Sequence, residues 1–264
     1  MRRIFLGIYS LLLAFGIDPR KTIHSLRGIP QYLRNLQTLR KQKTSTVKMF
    51  SFGIPHPCLH DRFSNGGSDR GHYFHQDLLV ARRVYFNNPN IHVDVASRVD
   101  GFVAHVASFR PIVVIDIRQV TNDIPNLTSI RRDFMAPLSD DLVDYCDSVS
   151  CLHALEHFGL GRYGDSVNYD GHLLGLNNLY RLLKEGGRLY FSVPIGPQRI
   201  EFDAHRVFCI SYLLECFDRK YNVNHFSFVD DEGHLHEDTP LIESNVKNNF
   251  GCVYGCGIFE LTKL

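Results

Sequence analysis

A chain of 264 residues with 44% hydrophobic and 12% aromatic content is long enough for one sizeable α/β domain plus an extension, and too rich in core-forming side chains for wholesale disorder. Its net charge of +1 conceals a split: residues 1–48 carry ten Lys or Arg against one acid, Asp18, for +9, and the remainder nineteen against twenty-seven, for −8. An acidic body argues against a nucleic-acid groove, because phosphate binding needs clustered positive charge on the folded surface.

The basic arm, residues 1–48, opens with Arg2 and Arg3 and then fourteen mostly apolar residues, Ile4 to Ile17. That run is short of the roughly 18 to 20 residues a membrane-spanning helix needs. Three readings stay open for it: a signal-peptide core ending at the small-residue site Ala14-Phe15-Gly16, a shallow membrane anchor, or a helix docked on the main domain. The series Leu26, Ile29, Tyr32, Leu33, Leu36 and Leu39 has helical spacing and is surrounded by Arg27, Arg34, Arg40, Lys41 and Lys43. A basic amphipathic helix of this kind suits peripheral contact with an anionic membrane as well as docking. None of the seven cysteines forms a C-x-x-C unit, which points to reduced thiols in a cytoplasmic setting, with secretory entry left open by the apolar run. Cys252 and Cys256 are too isolated to make a tetrahedral zinc site on their own, and no metal is expected.

Residues 49–264 read as one α/β domain. After the Gly-rich loop at Gly66-Gly67, Asp77 to Phe86 has helical content and stops at Asn87-Asn88-Pro89. Ile91 to Val95 is a short strand, Gly101 to Phe109 a helix, and Ile112 to Asp116 a second strand of β-branched residues. Ile130 to Phe134 is a weaker third strand, Asp147 to Leu152 a fourth, Gly171 to Leu183 a helix, and Arg188 to Pro194 a fifth strand. His225 to Val229 and Tyr254 to Leu261 supply an antiparallel closing pair. Apolar strands alternating with helices predict a Rossmann-like, doubly wound, mostly parallel sheet of about seven strands with helices on both faces.

One stretch, CLHALEHFGLGRYGD, supports two incompatible readings. His153, Glu156 and His157 spell H-x-x-E-H, a zinc signature when it lies within a helix that projects both imidazoles from one face. The preceding CDSVS instead reads as a buried strand, which puts His153 at a strand's carboxyl end, where doubly wound folds bind ligands. Gly159, Gly161 and Gly164 would end any helix almost at once, and no third ligand is obvious although Glu232 and Glu237 lie downstream. The strand reading is therefore preferred.

Asp94, Asp116, Asp133, CDSVSCLHALEH and LLKEGGRLYFSVP together resemble the successive motifs of class I S-adenosylmethionine-dependent methyltransferases. More closely, HVDVASRVDGFVAHVASFRPIVVIDIR, CLHALEHFGLGRYGD, VPIGPQRIEFDAHRVF, FSFVDDEGHLHE and YGCGIFE resemble DUF268, a methyltransferase-like family of unknown function, over most of residues 56–261. The resemblance implies S-adenosylmethionine as cofactor and a small-molecule or glycan hydroxyl as acceptor. It also implies a glycine-rich turn after the first strand, here Asp94 to Gly101, in which Ala96 and Ser97 are small, Arg98 departs from the pattern, and Gly101 alone remains of the glycines. Asp116 falls 22 positions after Asp94, close to the ~20 expected of an acid that accepts from ribose hydroxyls. Asp133 and Phe134 resemble the pair that contacts adenine. His153, Glu156 and His157 would then stand beside the transferred methyl, with a histidine as general base. His72, His75, Arg162, Tyr163, Asp165, Glu201, His205 and Arg206 are candidates for the acceptor side. Ala96 and Arg98 carry the rival reading, a methyltransferase-like fold that binds or scaffolds without catalysis.

Overall fold

A computed structural model describes residues 2–43, 52–64, 66–67, 69–121 and 123–264, with all of their side chains except those of residues 2–6 and 43. The chain divides into two compact units, Met1–Ser68 and Asp69–Leu264. In the first, α1 (Arg2–Ala14) ends at Gly16, whose φ of 77° takes the left-handed turn, and α2 (Pro19–Lys43) follows. Asp18 caps α2 by accepting the main-chain N–H groups of Arg20 and Lys21 at 2.9 and 3.2 Å. Among the described residues no helix is long and apolar enough to cross a membrane.

The second unit runs α3 (His72–Asn87), β1 (His92–Val95), α4 (Ala104–Ala107), β2 (Ile112–Asp116), β3 (Leu127–Arg131), β4 (Cys146–Leu152), α5 (Gly171–Leu182) and β5 (Leu183–Ile195). It continues with β6 (Arg199–Glu201), β7 (His205–Val207), α6 (Ile210–Phe217), β8 (Tyr221–Val229), β9 (Leu235–His236), α7 (Glu243–Lys247) and β10 (Gly255–Lys263). Eight strands form the main sheet in the order β3-β2-β1-β4-β5-β10-β8-β9, and β6 and β7 make a separate hairpin. The first five strands are mutually parallel, and β10 inserts antiparallel between β5 and β8. This is the expected doubly wound sheet, enlarged by the short edge strand β9.

Strand alternation explains how both faces are covered. Val93 and Val95, with Val149, Cys151, Leu189 and Phe191, face α5 and α6. Val114, Leu152 and Tyr190 face Leu79, Val80 and Val84 of α3 and Val103 and Val106 of the segment leading through α4. On that second face, β1 and β4 are joined by a buried polar seam. His92 Nδ1 meets Ser148 Oγ at 2.8 Å and His92 Nε2 meets Ser150 Oγ at 3.2 Å. Ser150 Oγ donates in turn to Asp94 at 2.6 Å.

The third strand lies three residues earlier than its composition suggests. β3 runs in parallel register from Leu127 opposite Ile112 to Arg131 opposite Asp116. Asp133 ends it instead of belonging to it, because its carboxylate accepts the Met135 N–H at 2.9 Å and opens a turn. The helix expected over Gly101 to Phe109 begins at Val99 with a wide, π-type turn before α4.

Candidate active site

The order of the sheet reverses between β1 and β4, and a cavity of about 930 Å³ opens over the carboxyl ends of the strands beside that reversal. One of its walls is made of the turns after β1, β2 and β3, which bring in Ala96, Ser97, Arg98, Asp116, Arg118, Asp133 and Phe134. Its other end is made of the start of α3, the loop after β4, the β6–β7 hairpin and the approach to β10.

The turn after β1 is organised by Asp94, which is fully buried and does not line the cavity. Its carboxylate accepts the Ser97 N–H at 2.9 Å and the Ser97 hydroxyl at 2.7 Å, while Ser97 Oγ accepts the Leu152 N–H at 3.2 Å. Burial pushes the Asp94 pKa up to about 6 even though these hydrogen bonds oppose the shift. Asp94 and Ser97 thus shape the turn, and the Ser97 hydroxyl is committed to that task. Ala96 sits at φ 60°, a left-handed conformation that L side chains with a Cβ disfavour by roughly 1–2 kcal/mol. It occupies the place where a glycine is expected. Gly101, by contrast, is absent from the cavity wall; a Cβ there would come within 2.4 Å of the Asp77 carboxylate of α3, which would have to turn aside. Asp94 and Gly101 therefore stand behind the cavity wall, where Asp94 supports the turn.

Arg98, on the cavity wall, is engaged by its neighbours. It forms a fork on Asp100, at 3.0 and 2.7 Å, and lies 5.5 Å over the Tyr73 ring. Asp116, almost buried at the end of β2, is held by Arg118 two residues on, with Nε and Nη2 at 3.0 and 2.6 Å. Arg118 also caps the Tyr163 ring at 4.7 Å, so it bridges the two ends of the cavity. Phe134 is packed in the core next to Phe158, 6.5 Å between ring centres, and still contributes to the wall.

The H-x-x-E-H residues form a single 3-10 turn, Leu155–His157, directly after β4. His153 precedes it at φ 49°. This is not the helix that the zinc signature requires, and the two histidines do not stand a helical turn apart on one face. They flank Glu156 instead. His153 Nδ1 is 2.8 Å and His157 Nε2 3.8 Å from the same carboxylate oxygen of Glu156, and the other oxygen is buried without a hydrogen-bond partner. Burial opposes ionisation of Glu156, but the charge and hydrogen bond of His153 outweigh it and hold the carboxyl below its ordinary range. His157 Nδ1 lies 2.7 Å from the Ala204 carbonyl, which fixes that nitrogen as the donor and leaves a lone pair on Nε2. Burial lowers the His157 pKa.

Of the acceptor-side candidates, His72, Arg162, Tyr163, Asp165 and His205 line the cavity. His75, Glu201 and Arg206 do not. His75 bonds the Gly233 carbonyl, Glu201 pairs with Arg199 on the rim, and Arg206 is a buried strut for the main-chain carbonyls of Phe158 and Tyr169 at 2.6 and 2.9 Å. Tyr73, Arg118 and Tyr254 belong to the wall and were not among the candidate site residues, although Arg118 and Tyr254 fall within the blocks that carry the family resemblance. Tyr73 carried a weak hint, since GHYFHQD is dense in aromatic and imidazole side chains.

Residues 104–232 match the family model described as Caenorhabditis protein of unknown function, DUF268. A search of curated proteins returns no match. Among solved structures, the chain is similar to the 4+2 cyclase SpnF, with a TM-score of 0.50 and 14% identity, covering 72% of this chain and 80% of that one. It is also similar to the N-methyltransferase NodS from Bradyrhizobium japonicum WM9 in complex with S-adenosyl-L-homocysteine (TM-score 0.46, 10% identity, 74% and 89% covered). A third is a putative methyltransferase from Bacillus halodurans C-125 (TM-score 0.46, 15% identity, 71% and 98% covered). At these identities the likeness concerns the fold. The match to the DUF268 model thus covers residues 104–232, just under half of the chain, and the doubly wound sheet around it is a methyltransferase-like fold.

Proposed function

We propose that the domain is an S-adenosylmethionine-dependent methyltransferase acting on a small-molecule or glycan hydroxyl. The observation that carries this reading is the pairing, within one cavity, of a strand-end acid at Asp116 with a base-competent histidine at His157. The cofactor would lie along the turns after β1, β2 and β3, with the main chain at Ala96, Ser97 and Arg98 near its carboxypropyl group, Asp116 at the ribose, and Asp133 and Phe134 at the adenine. Bound there, it supplies a methyl group on a positively charged sulfur. An acceptor hydroxyl at the other end loses its proton to His157 Nε2 while Nδ1–H stays on the Ala204 carbonyl. Glu156 steadies the resulting imidazolium and fixes His153. Alignment of the acceptor falls to the surrounding rings of His72, Tyr73 and Tyr254.

A second reading, a binding module without catalysis, is favoured by two features: Asp116 already engaged by Arg118, and a Cβ at Ala96. Calorimetric titration with S-adenosyl-L-homocysteine separates the two. Saturable one-to-one binding supports the enzyme. No heat from the parent, nor from a variant combining Ala96→Gly and Arg118→Ala, leaves the binding module.

A further inference from the structure

Three side chains from distant parts of the chain meet at the inner wall of the cavity: His72 at the start of α3, His153 after β4, and Cys256 near the start of β10. One ligand atom from each lies within 4.8 Å of the other two. Bond lengths of about 2.0–2.1 Å for zinc to nitrogen and about 2.3 Å for zinc to sulfur require closure by roughly 1 Å, within reach of small side-chain rotations.

Both histidines are prepared in the way metal-binding imidazoles are. His153 has its Nδ1 on the Glu156 carboxylate at 2.8 Å, so Nε2 is its remaining ligand atom. That nitrogen is buried and has no hydrogen-bond partner, although the Cys256 sulfur is near enough to influence its protonation. His72 makes a hydrogen bond to the main chain of Tyr254, and its ring stacks on His153 with 5.0 Å between centres and 14° between planes. A second acceptor behind each ring fixes its tautomer and raises its strength as a ligand. An unpartnered buried nitrogen is otherwise destabilising.

We propose that His72, His153 and Cys256 bind a borderline-soft divalent ion of the zinc class, with Glu156 orienting His153 from behind. Two imidazoles and one thiolate form a three-ligand set that selects such an ion over magnesium or calcium and leaves a fourth position. Binding releases the Cys256 proton to solvent. His72 and His153 line the cavity whereas Cys256 stands behind them, so the open position faces the space assigned to the acceptor. There the ion would hold the acceptor oxygen and lower its pKa, a role that rests on the methyltransferase reading; the binding site itself does not.

The test is titration of the chelator-treated full chain with Co²⁺, a spectroscopic stand-in for zinc. One equivalent should produce visible ligand-field bands and a near-ultraviolet thiolate-to-cobalt charge-transfer band, and Zn²⁺ should displace both. Cys256→Ser should abolish the charge-transfer band. His72→Ala, at a half-buried helix start, should weaken Co²⁺ binding, and Glu156→Gln should weaken it roughly 10- to 100-fold. Absence of the bands in the parent, or a charge-transfer band that survives Cys256→Ser, overturns the site. Titration of the parent with S-adenosyl-L-homocysteine keeps the two proposals apart. Cofactor binding without the cobalt bands removes the metal and leaves the methyltransferase; the bands without cofactor binding keep the metal and remove its role in transfer.

Discussion

Asp116 and Arg118 are locked together across a single residue: the Asp116 carboxylate accepts the Arg118 main-chain N–H at 2.8 Å and its guanidinium at 3.0 and 2.6 Å. An acid that is to receive ribose hydroxyls must share or surrender this partner. Asp116→Ala is therefore expected to weaken S-adenosylmethionine binding by about 1–3 kcal/mol, the scale of a hydrogen bond to a charged group. Arg118→Ala should have the opposite sign and tighten it. Calorimetry on both variants checks the pair; equal affinity in all three proteins would remove Asp116 from the cofactor site.

His157→Ala is expected to lower turnover on the order of 10²- to 10⁴-fold while leaving cofactor affinity in place. The pH profile carries an additional signature. Burial, helped by Arg162 and His153 and opposed by Glu156 and the Ala204 carbonyl, keeps the His157 pKa below the ordinary 6.5. The imidazole is thus already unprotonated at neutrality. Turnover should rise with pH through a value under 6.5 and then level off, and a rise still continuing above pH 7 would assign the base elsewhere.

The seam between β1 and β4 makes opposing demands on stability. Burial pushes the His92 pKa down to about 3, so its contribution is fully present above the unfolded value near 6.5 and is lost as pH falls toward 3. Asp94, raised to about 6, contributes most below its unfolded value near 3.8 and loses that contribution as pH rises through 6. Between pH 4 and 6 the two slopes, each at most about 1.4 kcal/mol per pH unit, nearly cancel. Relative to the parent, His92→Asn should gain stability toward acid and Asp94→Asn should lose it. Urea unfolding at pH 4.5, 5.5 and 6.5 measures both tilts, and parallel curves for the three proteins would contradict them.

The +9 charge of residues 1–48 and the exposed Leu26, Leu33 and Leu39 of α2 motivate a fourth expectation, peripheral binding to anionic membranes. Sedimentation with phosphatidylserine vesicles should show binding that declines with salt and with replacement of Arg27, Arg34 and Arg40 by Gln. Salt-independent binding, or none, rules this out.

The strands β1, β2 and β4 were legible to within one residue because β-branched and small apolar runs bounded by turn residues leave little choice. β3 was not, since its exposed, polar sequence LTSIR carries no alternation and only pairing with β2 defines it. The same divide runs through the site. Asp116, His153 and His157 announce themselves at strand ends, whereas the Arg118 lock is a matter of rotamer, and Cys256 reaches His153 only because β10 crosses back beside β5. That Gly101 stands behind the wall, beside Asp77 of α3, is likewise a matter of packing that its place in the turn does not disclose.

The seam of His92, Ser148, Ser150 and Asp94 also acts as a key. In the native pairing His92 stands opposite Ser148 and Asp94 opposite Ser150. Sliding β1 by one residue would turn its valines and its polar side chains to the wrong faces. Sliding it by two would keep the faces but set Asp94 against Leu152 in one direction and His92 against Cys146 in the other, taking a buried polar side chain away from the hydroxyl opposite it. A purely aliphatic β1 would tolerate that second slip at modest cost. The polar side chains instead admit one phase only, and because the two lips of the cavity leave from these two strands, the same key that aligns the strands also fixes how far apart Ala96 and His153 stand.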